Sequence, residues 1–538
     1  MYRPVTIREI LEKSAEKYKY NCAFTFLDSD GKTAEISYER LKQDVDSLAL
    51  TLLHEYKMHG EKAAIISYNC YEWCVSYLAC LSAGIVAVPV DRELSGEDIG
   101  SILSFAGVRV VIGDRQSLEK LKKTKDVLYI STEDEKGGFY KFISKGEHLK
   151  KEGYTLDIKK DPDALAVLLF TSGTTGNAKG VMLSERNLCS DLFLVSDKIK
   201  IKETDRTLSL LPLHHTYEAI AFLMVIYCGG SIAFCGGIRY LSKSFQLFSP
   251  TVFVTVPLIL EKLHERILSE IESKGMRKKF RIAAMMSSAV SEEKKKKLFS
   301  DIHAFFGGKL GKIVVGAAAL QASAAEDFEL FGFRVIIGYG LTECSPIIIC
   351  NSSDDTTPDT VGRPLDETQI KIDKPDEKGV GEILVKGPMV MLGYYNNKEA
   401  TDQVFCDGWF RTGDLGSCDK NGRYRISGRC KNVIVTRNGK NIYPEELEYK
   451  LNKNPYISES LVFAEKGDIV SCEILPDEQA IKGKLKKSTV TDEEIKAVIN
   501  EAVRGINRHL PSYKRIKKVT VIKDGFLKTT THKIKRKY

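Results

Sequence analysis

Residues 164–184 read ALAVLLFTSGTTGNAKGVMLS, an apolar run that leads straight into a loop rich in glycine and hydroxyl groups. The run 164–170 is typical of a buried strand. In the loop 171–180, glycines allow the backbone to approach an anion, hydroxyls and amides can donate to phosphate oxygens, and Lys179 supplies a point charge. The loop is not a Walker A sequence, because Ala178 stands where that motif has its second glycine. It therefore predicts a phosphate-binding loop of another kind, with a flexible surface loop as the alternative.

On both sides of this loop, short β-branched apolar runs alternate with amphipathic stretches. Strands are predicted over 62–67, 85–90, 108–112 and 164–170 in a first set, and over 230–234, 251–256, 281–286, 312–315 and 334–338 in a second. Helices are predicted over 38–56 and 70–82, and another is predicted to open at Ser184. Alternation of this kind indicates parallel sheets covered by helices.

The composition changes from about residue 354. Close-spaced glycines and short strands predict a small β-barrel or sandwich between 360 and 428. An α+β unit follows, with strands predicted at 433–436 and 460–464 and helices at 444–451 and 491–508. We therefore expect an α/β fold: a large N-terminal domain, 1–428, made of two α/β sheet subdomains and the barrel, a hinge at 429–431 and a small mobile α+β domain, 432–538.

Composition excludes several classes of protein. With 538 residues, 43% hydrophobic and 28% charged, the chain is neither disordered nor fibrous. Thirteen cysteines without a CxxC pair predict reduced thiols and a cytoplasmic location. The apolar stretch 219–234 is too short to span a bilayer, which leaves only peripheral membrane contact open. The net charge of +8 comes without a basic stripe interleaved with aromatics, so no nucleic-acid partner is expected.

A second motif, GYGLTE, occupies 338–343. A dinucleotide-binding fingerprint is disfavoured, because Glu343 stands where its last glycine belongs. Tyr339 can stack on a base, Thr342 can reach a phosphate, and the Glu343 carboxylate can hold Mg²⁺ through oxygen. Taken alone, the motif is equally compatible with an ordinary turn between a strand and a loop.

The order of the motifs is more specific than any one of them. They are TSGTTGNAKG at 171–180, YGLTE at 339–343, GWFRTGDL at 408–415, GRCKN at 428–432, NGKNIYPEE at 438–446 and KTTTHKIKR at 528–536. This order resembles the adenylate-forming superfamily, which includes acyl-CoA synthetases, luciferase and the adenylation domains of peptide synthetases. The resemblance covers essentially the whole chain and implies that 1–428 is an AMP-binding adenylation domain that uses ATP, Mg²⁺ and CoA.

The resemblance also implies roles for individual residues. The triphosphate loop comprises Thr171, Ser172, Gly173, Thr174, Thr175, Gly176 and Lys179, and the adenine site Gly316, Ala317, Ala318, Gly338, Tyr339 and Gly340. Thr342 is implied to contact the α-phosphate and Glu343 to bind Mg²⁺. The ribose contacts are Asp414 and Arg429, the hinge is Lys431, the adenylation lysine is Lys533, and the thiol channel is lined by Asn438 and Gly439.

The implied reaction activates a carboxylic acid as an acyl adenylate and transfers it to CoA. Residues 211–218, LPLHHTYE, resemble the histidine segment of fatty acyl-CoA synthetases, which makes His215 a candidate catalytic residue and a medium- or long-chain fatty acid the expected substrate. A core histidine with satisfied hydrogen bonds is the alternative for His215. An acyl-acyl-carrier-protein ligase and an aryl-acid CoA ligase are alternatives on the same fold. A non-catalytic AMP-binding protein is the alternative of another class.

Overall fold

A computed structural model describes residues 2–27, 30–133, 138–171, 179–275, 291–435, 441–465, 469–528 and 534–536. The chain divides into two compact units. The first comprises Met1–Gln369 and Val385–Phe410, and the second comprises Ile370–Leu384 and Arg411–Tyr538. The domain boundary predicted at 428–432 stays a prediction.

The strands are short and the helices between them carry apolar faces. The strands are β1 (Cys22–Leu27), β2 (Thr33–Ser37), β3 (Lys62–Ile66), β4 (Val86–Pro89), β5 (Val110–Gly113), β6 (Leu128–Ser131), β7 (Leu165–Thr171), β8 (Lys179–Ser184), β9 (Arg206–Ser209), β10 (Ser231–Phe234), β11 (Val252–Thr255), β12 (Lys312–Val315), β13 (Arg334–Gly340), β14 (Ile347–Cys350), β15 (Arg363–Pro364), β16 (Gln369–Asp373), β17 (Gly381–Lys386), β18 (Gly393–Tyr394), β19 (Phe405–Cys406), β20 (Trp409–Cys418), β21 (Tyr424–Arg429), β22 (Ile434–Val435), β23 (Asn441–Ile442), β24 (Ile457–Glu465), β25 (Ile469–Pro476) and β26 (Lys518–Val521).

The α-helices are α1 (Ile7–Lys17), α2 (Tyr38–His54), α3 (Tyr71–Ser82), α4 (Gly96–Ala106), α5 (Arg115–Glu119), α6 (Phe139–Lys151), α7 (Glu185–Ile199), α8 (Thr216–Cys228), α9 (Leu241–Phe248), α10 (Pro257–Ser273), α11 (Glu292–Leu298), α12 (Ser300–Phe305), α13 (Ala322–Phe331), α14 (Lys398–Val404), α15 (Pro444–Asn452), α16 (Glu478–Leu485) and α17 (Asp492–Arg508). Short 3₁₀ turns lie at Ile238–Tyr240, Thr342–Cys344, Cys430–Asn432 and Ser512–Lys514.

Two large sheets organise the first unit. In the described chain, one sheet has the order β15-β14-β13-β12-β11-β9-β10-β1-β2 and the other β18-β8-β7-β4-β3-β5-β6. The central pairs are parallel, as the alternation of strands and helices predicts, and antiparallel strands lie at the edges. The α/β fold class with two sheet subdomains is therefore confirmed.

Most of the predicted elements are present within one or two residues of their expected ends. The connection after the glycine-rich loop differs from the prediction, because the sequence did not predict β8. The predicted phosphate-binding loop lies between β7 and β8, two antiparallel strands in which Thr171 is opposite Lys179, and the helix predicted at Ser184 follows only after β8. That helix, α7, begins at Glu185 with a capping box between Ser184 and Asn187. The strand predicted at 281–286 lies outside the described residues.

The second unit contains most of the small sheet and the C-terminal α+β elements. The small sheet has the order β16-β17-β20-β19, with β21 paired to β20, where the sequence predicted a small β-rich barrel or sandwich. In the C-terminal part, β24, β25 and β26 form a three-stranded sheet. Helices α15 and α17 bury residues such as Leu447 and Ile499 against it. Apolar burial of this kind is what gives a unit of this size its own core.

Two further expectations concern the whole chain. All thirteen cysteines are free in the structure, and the predicted reduced state of the thiols stays a prediction. None of the helices in the described ranges combines the length and apolar character that a membrane crossing requires.

Candidate functional site

The predicted site segments of the first unit follow the carboxyl ends of parallel strands. Strands β9, β11, β12 and β13 run parallel, and their last residues lead into the segments that carry His215, Gly316 and Thr342. Parallel strands bring their carboxyl ends to one edge of the sheet, where ligands bind in open α/β folds. The topology therefore gathers three separated motifs at one edge.

The GYGLTE motif forms the end of β13 and the tight turn that follows it. Gly338, Tyr339 and Gly340 are the last residues of the strand. A Cβ atom on Gly340 would lie 1.7 Å from the carbonyl oxygen of Pro346, so no side chain fits there without a shift of the backbone. The Leu341 amide donates to that same carbonyl over 2.8 Å. This hydrogen bond fixes the 3₁₀ turn Thr342–Cys344, which contains the residues predicted to contact phosphate and to bind metal.

Glu343 is held at both its main chain and its side chain. The Met391 amide donates to the Glu343 carbonyl over 2.8 Å, and the Tyr394 hydroxyl donates to Glu343 Oε1 over 2.9 Å. Burial and the neighbouring carboxylate raise the pKa of Tyr394, so its hydroxyl stays protonated and remains a donor. The carboxylate is thereby fixed in one orientation.

Lys179 meets the same tyrosine from another direction. Its ammonium lies 4.8 Å from the centroid of the Tyr394 ring, within the range of a cation–π interaction. Lys179 is the first residue of β8 and pairs with Thr171 across the hairpin. Thus the structure brings Lys179 and Glu343 together through Tyr394. The predicted loop residues Ser172, Gly173, Thr174, Thr175 and Gly176 lie outside the described residues.

The predicted adenine segment follows β12. Gly316 is buried, and a Cβ atom there would lie 3.2 Å from the Tyr217 ring. The Tyr217 hydroxyl donates to the Val314 carbonyl over 3.1 Å, which fixes the ring beside the segment. Ala317 and Ala318 are exposed, and Ala317 has a φ of 72°, a left-handed conformation that is unusual for alanine. This segment therefore presents small side chains to solvent.

The segment 211–218 is held by a buried polar network. Asn69 donates to the Ser209 hydroxyl over 3.0 Å and to the Leu211 carbonyl over 2.7 Å, and it accepts from the Leu213 amide over 3.1 Å. The Ser209 hydroxyl donates to Glu218 Oε1 over 2.6 Å. The loop that carries His215, at the N-cap of α8, is thereby fastened at both ends.

Glu218 is a buried acid with an unusual environment. Burial raises its pKa to about 8, while Ser209 and the backbone of Leu210 oppose that shift by hydrogen bonding. Its Oε2 has no hydrogen-bond partner among the described residues. The side chain borders a small cavity of about 10 Å³ that Cys74 also lines. The carboxyl is therefore neutral near pH 7.

The two histidines of the segment lie side by side. The ring centroids of His214 and His215 are 4.2 Å apart. Burial and the neighbouring imidazole lower the pKa of His214 well below its ordinary value, so the ring is neutral at pH 7. His214 Nε2 lies 3.7 Å from Asp91 Oδ2. The neutral His214 ring therefore lies beside His215 at the start of α8.

The predicted ribose residues belong to the second unit. Asp414 on β20 and Arg429 on β21 are opposite each other in the antiparallel register, and Arg429 Nε lies 3.1 Å from Asp414 Oδ1. Asp414 is buried, and its amide donates to the Thr412 hydroxyl over 3.0 Å. Lys431 lies in the 3₁₀ turn that follows. Asn438, Gly439 and Lys533 lie outside the described residues.

The residues present fit a magnesium ion bound together with a substrate. No cluster of three or more histidine, cysteine or acidic side chains that could hold a metal occurs in the described ranges. Magnesium is commonly bound through one or two carboxylates, with water and substrate phosphates completing its shell. The half-buried Glu343 carboxylate, with one oxygen hydrogen-bonded to Tyr394, is a donor of this kind.

Tyr394, Ser209 and Glu218 support the site but were not predicted from the sequence. Glu218 was within a motif already quoted, and an acid inside the apolar helix α8 was a signal of a special environment. Tyr394 gave no such signal, because its partners are 51 and 215 positions away in the sequence.

Comparison with known protein families gives two matches. Residues 11–395 match the AMP-binding enzyme family, and residues 431–538 match the AMP-binding enzyme C-terminal domain. Together they cover most of the chain.

Comparison with individual proteins agrees. The chain is 28% identical to long-chain-fatty-acid–CoA ligase FadD15 of Mycobacterium bovis, across 94% of this chain and 91% of that protein. It is 30% identical to long-chain-fatty-acid–CoA ligase 5 of Rattus norvegicus, across 93% and 82%. Its fold resembles ATP-bound MatB from Rhodopseudomonas palustris, with a TM-score of 0.77, 24% identity and coverage of 98% and 97%. It also resembles o-succinylbenzoate CoA synthetase (MenE) of Bacillus subtilis with AMP, with a TM-score of 0.74, 22% identity and coverage of 98% and 97%. From these matches it follows that the chain belongs to the AMP-binding enzyme family, as an ATP-dependent, AMP-forming acyl-CoA synthetase.

Proposed function

We propose that the enzyme activates a medium- or long-chain fatty acid. The observation that carries this proposal is the character of α8, the helix whose N-cap is His215. It is buried along almost its whole length, and Glu218 is its one ionisable acid among mostly apolar residues. Because Glu218 is neutral near pH 7, it offers no carboxylate to pair with the ammonium of an amino-acid substrate. The two long-chain-fatty-acid–CoA ligases matched above support the same substrate class.

The reaction has two balanced steps. In the first, a carboxylate oxygen of the acid attacks the α-phosphorus of ATP, the bond from that phosphorus to the bridging oxygen breaks, and pyrophosphate leaves. In the second, the sulfur of CoA attacks the acyl carbon, the bond from that carbon to the AMP oxygen breaks, and the thiol proton passes to solvent. A carboxylate is a poor nucleophile, so positioning and charge neutralisation supply most of the acceleration of the first step.

The proposed roles in the first unit rest on the resemblance of the motifs, and the contacts described above support them. Lys179 and the loop that begins at Thr171 bind the β- and γ-phosphates, and Thr342 donates to the α-phosphate. Glu343 is the protein ligand for Mg²⁺, which when bound neutralises charge on the phosphates. Gly316, Ala317 and Ala318 are proposed to border the adenine, and Tyr339 to stack on it.

The remaining roles rest on the resemblance of the sequence motifs. Asp414 and Arg429 are proposed to bind the ribose hydroxyls, since a carboxylate accepts from such hydroxyls and a guanidinium donates. Lys533 is proposed to neutralise charge on the α-phosphate during adenylation. Asn438 and Gly439 are proposed to line the channel for the thiol, and Lys431 to act as the hinge between the two half-reactions.

The substrate class can be tested by pyrophosphate release over a panel of acids. The panel contains saturated fatty acids of increasing length, benzoate and anthranilate as aryl acids, and leucine as an amino acid. We expect release with the medium- or long-chain fatty acids and none with leucine. Release with the aryl acids alone would contradict the proposal and favour the aryl-acid ligase.

The acyl acceptor needs a separate measurement. With the best acid of the panel, thioester formation is compared for free CoA and for holo acyl carrier protein. We expect the CoA thioester. Exclusive transfer to the carrier protein would assign an acyl-acyl-carrier-protein ligase, whose acidic partner could contact the basic residues 514–518.

We also propose a cytoplasmic location. The support is chemical: all thirteen cysteines are free thiols, as expected in a reducing compartment. Cell fractionation followed by immunoblotting tests this, and recovery of the protein in a secreted fraction would contradict it.

A further inference from the structure

Strand pairing, hydrogen bonds and burial hold Tyr394 in place. It lies on β18, which pairs with β8 in antiparallel register, with Tyr394 opposite Val181. Its amide donates to the Thr401 hydroxyl over 2.9 Å, and the next amide, of Tyr395, donates to the Gly180 carbonyl over 2.7 Å. Only 6% of the Tyr394 surface is exposed. The ring therefore has one position.

Two charged residues contact different parts of the Tyr394 side chain, one the ring face and the other the hydroxyl. The Lys179 ammonium lies 4.8 Å from the ring centroid, and Glu343 Oε1 accepts from the hydroxyl over 2.9 Å. Lys179 and Glu343 therefore contact the same side chain at different atoms. The tyrosine thus lies between a cation and an anion that could otherwise attract each other in a partly buried site.

We propose that Tyr394 is a positioning residue that orients the Glu343 carboxylate toward Mg²⁺ and keeps Lys179 available for the nucleotide phosphates. This inference rests on the proposed roles of Glu343 and Lys179. The experiment below separates a failure of those roles from a failure of the inference.

The hydroxyl contact suits a metal ligand of this kind. Tyr394 occupies Oε1, which leaves Oε2 for the metal. Magnesium usually binds a single oxygen of a carboxylate. The hydrogen bond from Tyr394 to Oε1 therefore leaves the one oxygen that the metal requires. A hydrogen-bonded carboxylate cannot rotate freely, so less ordering is required when the metal binds.

The ring contact suits a phosphate-binding lysine. A lysine paired with a carboxylate must break that pair before it can meet a phosphate. The face of an aromatic ring attracts the ammonium more weakly, so the lysine is held in place and can still turn toward an anion. Tyr394 thereby positions both the Lys179 ammonium and the Glu343 carboxylate for the same nucleotide and its metal ion.

Three variants dissect these contacts. Tyr394→Phe removes the hydroxyl and keeps the ring, and Tyr394→Leu removes both. Tyr395→Phe is the matched control, because it removes a hydroxyl one position along the same edge of the sheet. The Tyr395 ring packs edge-on against Phe105, at 5.8 Å between centroids, and this contact survives the change. Thermal unfolding of each full-length variant shows first that it folds.

The readout is equilibrium binding of ATP by calorimetry, without any carboxylic acid and over a series of Mg²⁺ concentrations. For Tyr394→Phe we expect the half-saturating Mg²⁺ concentration to rise about tenfold, with ATP affinity in EDTA unchanged. For Tyr394→Leu we expect the same rise and, in addition, ATP affinity in EDTA weakened by roughly 2- to 10-fold. Tyr395→Phe should match the wild type in both measurements.

Glu343→Gln and the double variant Glu343→Gln/Tyr394→Phe complete the test. We expect Glu343→Gln to raise the Mg²⁺ requirement and Tyr394→Phe to add nothing in that background, because the hydroxyl acts through the carboxylate. If Glu343→Gln shifts the requirement while Tyr394→Phe does not, the inference about Tyr394 is wrong and the metal role stands. If Glu343→Gln leaves the half-saturating Mg²⁺ concentration unchanged, the metal role of Glu343 is wrong, and so is the inference about Tyr394.

Discussion

Ser209 and Glu218 share a hydrogen bond of 2.6 Å across the loop that joins β9 to α8. Serine donates, and the acceptor is a carboxyl group whose other oxygen has no partner in the described part of the chain. The same serine hydroxyl accepts from Asn69, which also holds the backbone on both sides of Pro212. A buried acid therefore fastens the loop that presents His215.

This arrangement predicts how stability depends on pH. The pKa of Glu218 is raised to about 8 in the folded protein, from an ordinary value of 4.5. Between these two values the unfolded chain releases the proton while the folded chain retains it, so the free energy of unfolding falls as pH rises. The difference amounts to roughly 3–5 kcal/mol across the window. Glu218→Gln keeps the acceptor for Ser209 and does not titrate, so its stability should fall less between pH 5 and pH 8.

Urea unfolding at these two pH values checks the prediction. Trp73 is buried in the first unit, which also contains Glu218, so tryptophan fluorescence reports on the unfolding of that unit. Every other titrating group is common to the two proteins and cancels in the comparison. Equal losses of stability in the wild type and the variant would show that Glu218 does not hold its proton.

A second prediction concerns the two glycines that flank Tyr339. A Cβ atom on Gly340 would lie 1.7 Å from the Pro346 carbonyl oxygen, whereas one on Gly338 would lie 3.6 Å from its nearest neighbour, Cys350 Cβ. We expect Gly340→Ala to destabilise the protein by about 1–3 kcal/mol and to weaken ATP binding, because the tight turn that carries Thr342 must shift. Gly338→Ala is the control and should change stability little. Thermal unfolding and ATP calorimetry measure both effects, and equal behaviour of the two variants would contradict the argument.

The sequence predicted the parts of the fold and the site that depend on local pattern. The strand that ends in GYGLTE was predicted because its apolar residues and its glycines are contiguous, and it is present as β13. A helix was predicted to open at Ser184, and α7 begins at Glu185 with Ser184 as its N-cap. By contrast, β8 was missed because its pairing with β7 and with the two-residue strand β18 is fixed by tertiary contacts.

The site residues likewise divide into those that a local motif predicts and those that depend on tertiary contacts. Lys179 and Glu343 could be proposed from motifs, since each motif carries its own chemistry in consecutive residues. The hydroxyl of Tyr394 could not be linked to Glu343, because a tyrosine after glycine has the same local pattern whether it supports a site or fills a core. The raised pKa of Glu218 likewise depends on burial, which the helix sequence alone does not give.

Lys533 gives a prediction that rests on the sequence resemblance. In Lys533→Ala we expect adenylate formation to fall by roughly 10² to 10³, because one charge is lost at the phosphate under attack. Thioester formation from a supplied acyl adenylate should be retained. Lys535→Ala is the control, since Lys535 is exposed and its amide donates to the Leu527 carbonyl over 2.7 Å, a bond that alanine keeps. Comparable loss of both half-reactions in Lys533→Ala would indicate a structural role for the tail.

The hinge proposed at Lys431 predicts a separation of the two half-reactions. If Lys533 serves the first step and Asn438 and Gly439 the second, the C-terminal domain must move between them, and a few backbone positions must absorb the change. Lys431 lies in a 3₁₀ turn whose bond runs from the Val433 amide to the Cys430 carbonyl, over 3.4 Å. Proline at 431 removes neither of those groups.

Proline fixes φ near −65°, a value compatible with a 3₁₀ turn, and forbids most others. We therefore expect Lys431→Pro to form acyl adenylate at a near-normal rate, measured by pyrophosphate release, and to lose most of its thioester formation, measured with CoA. Lys431→Ala is the matched control, because it removes the side chain and leaves φ free to change, so both half-reactions should persist. Thermal unfolding of each variant establishes that the fold is intact before the rates are compared. Normal transfer to CoA by the proline variant would place the hinge at another position.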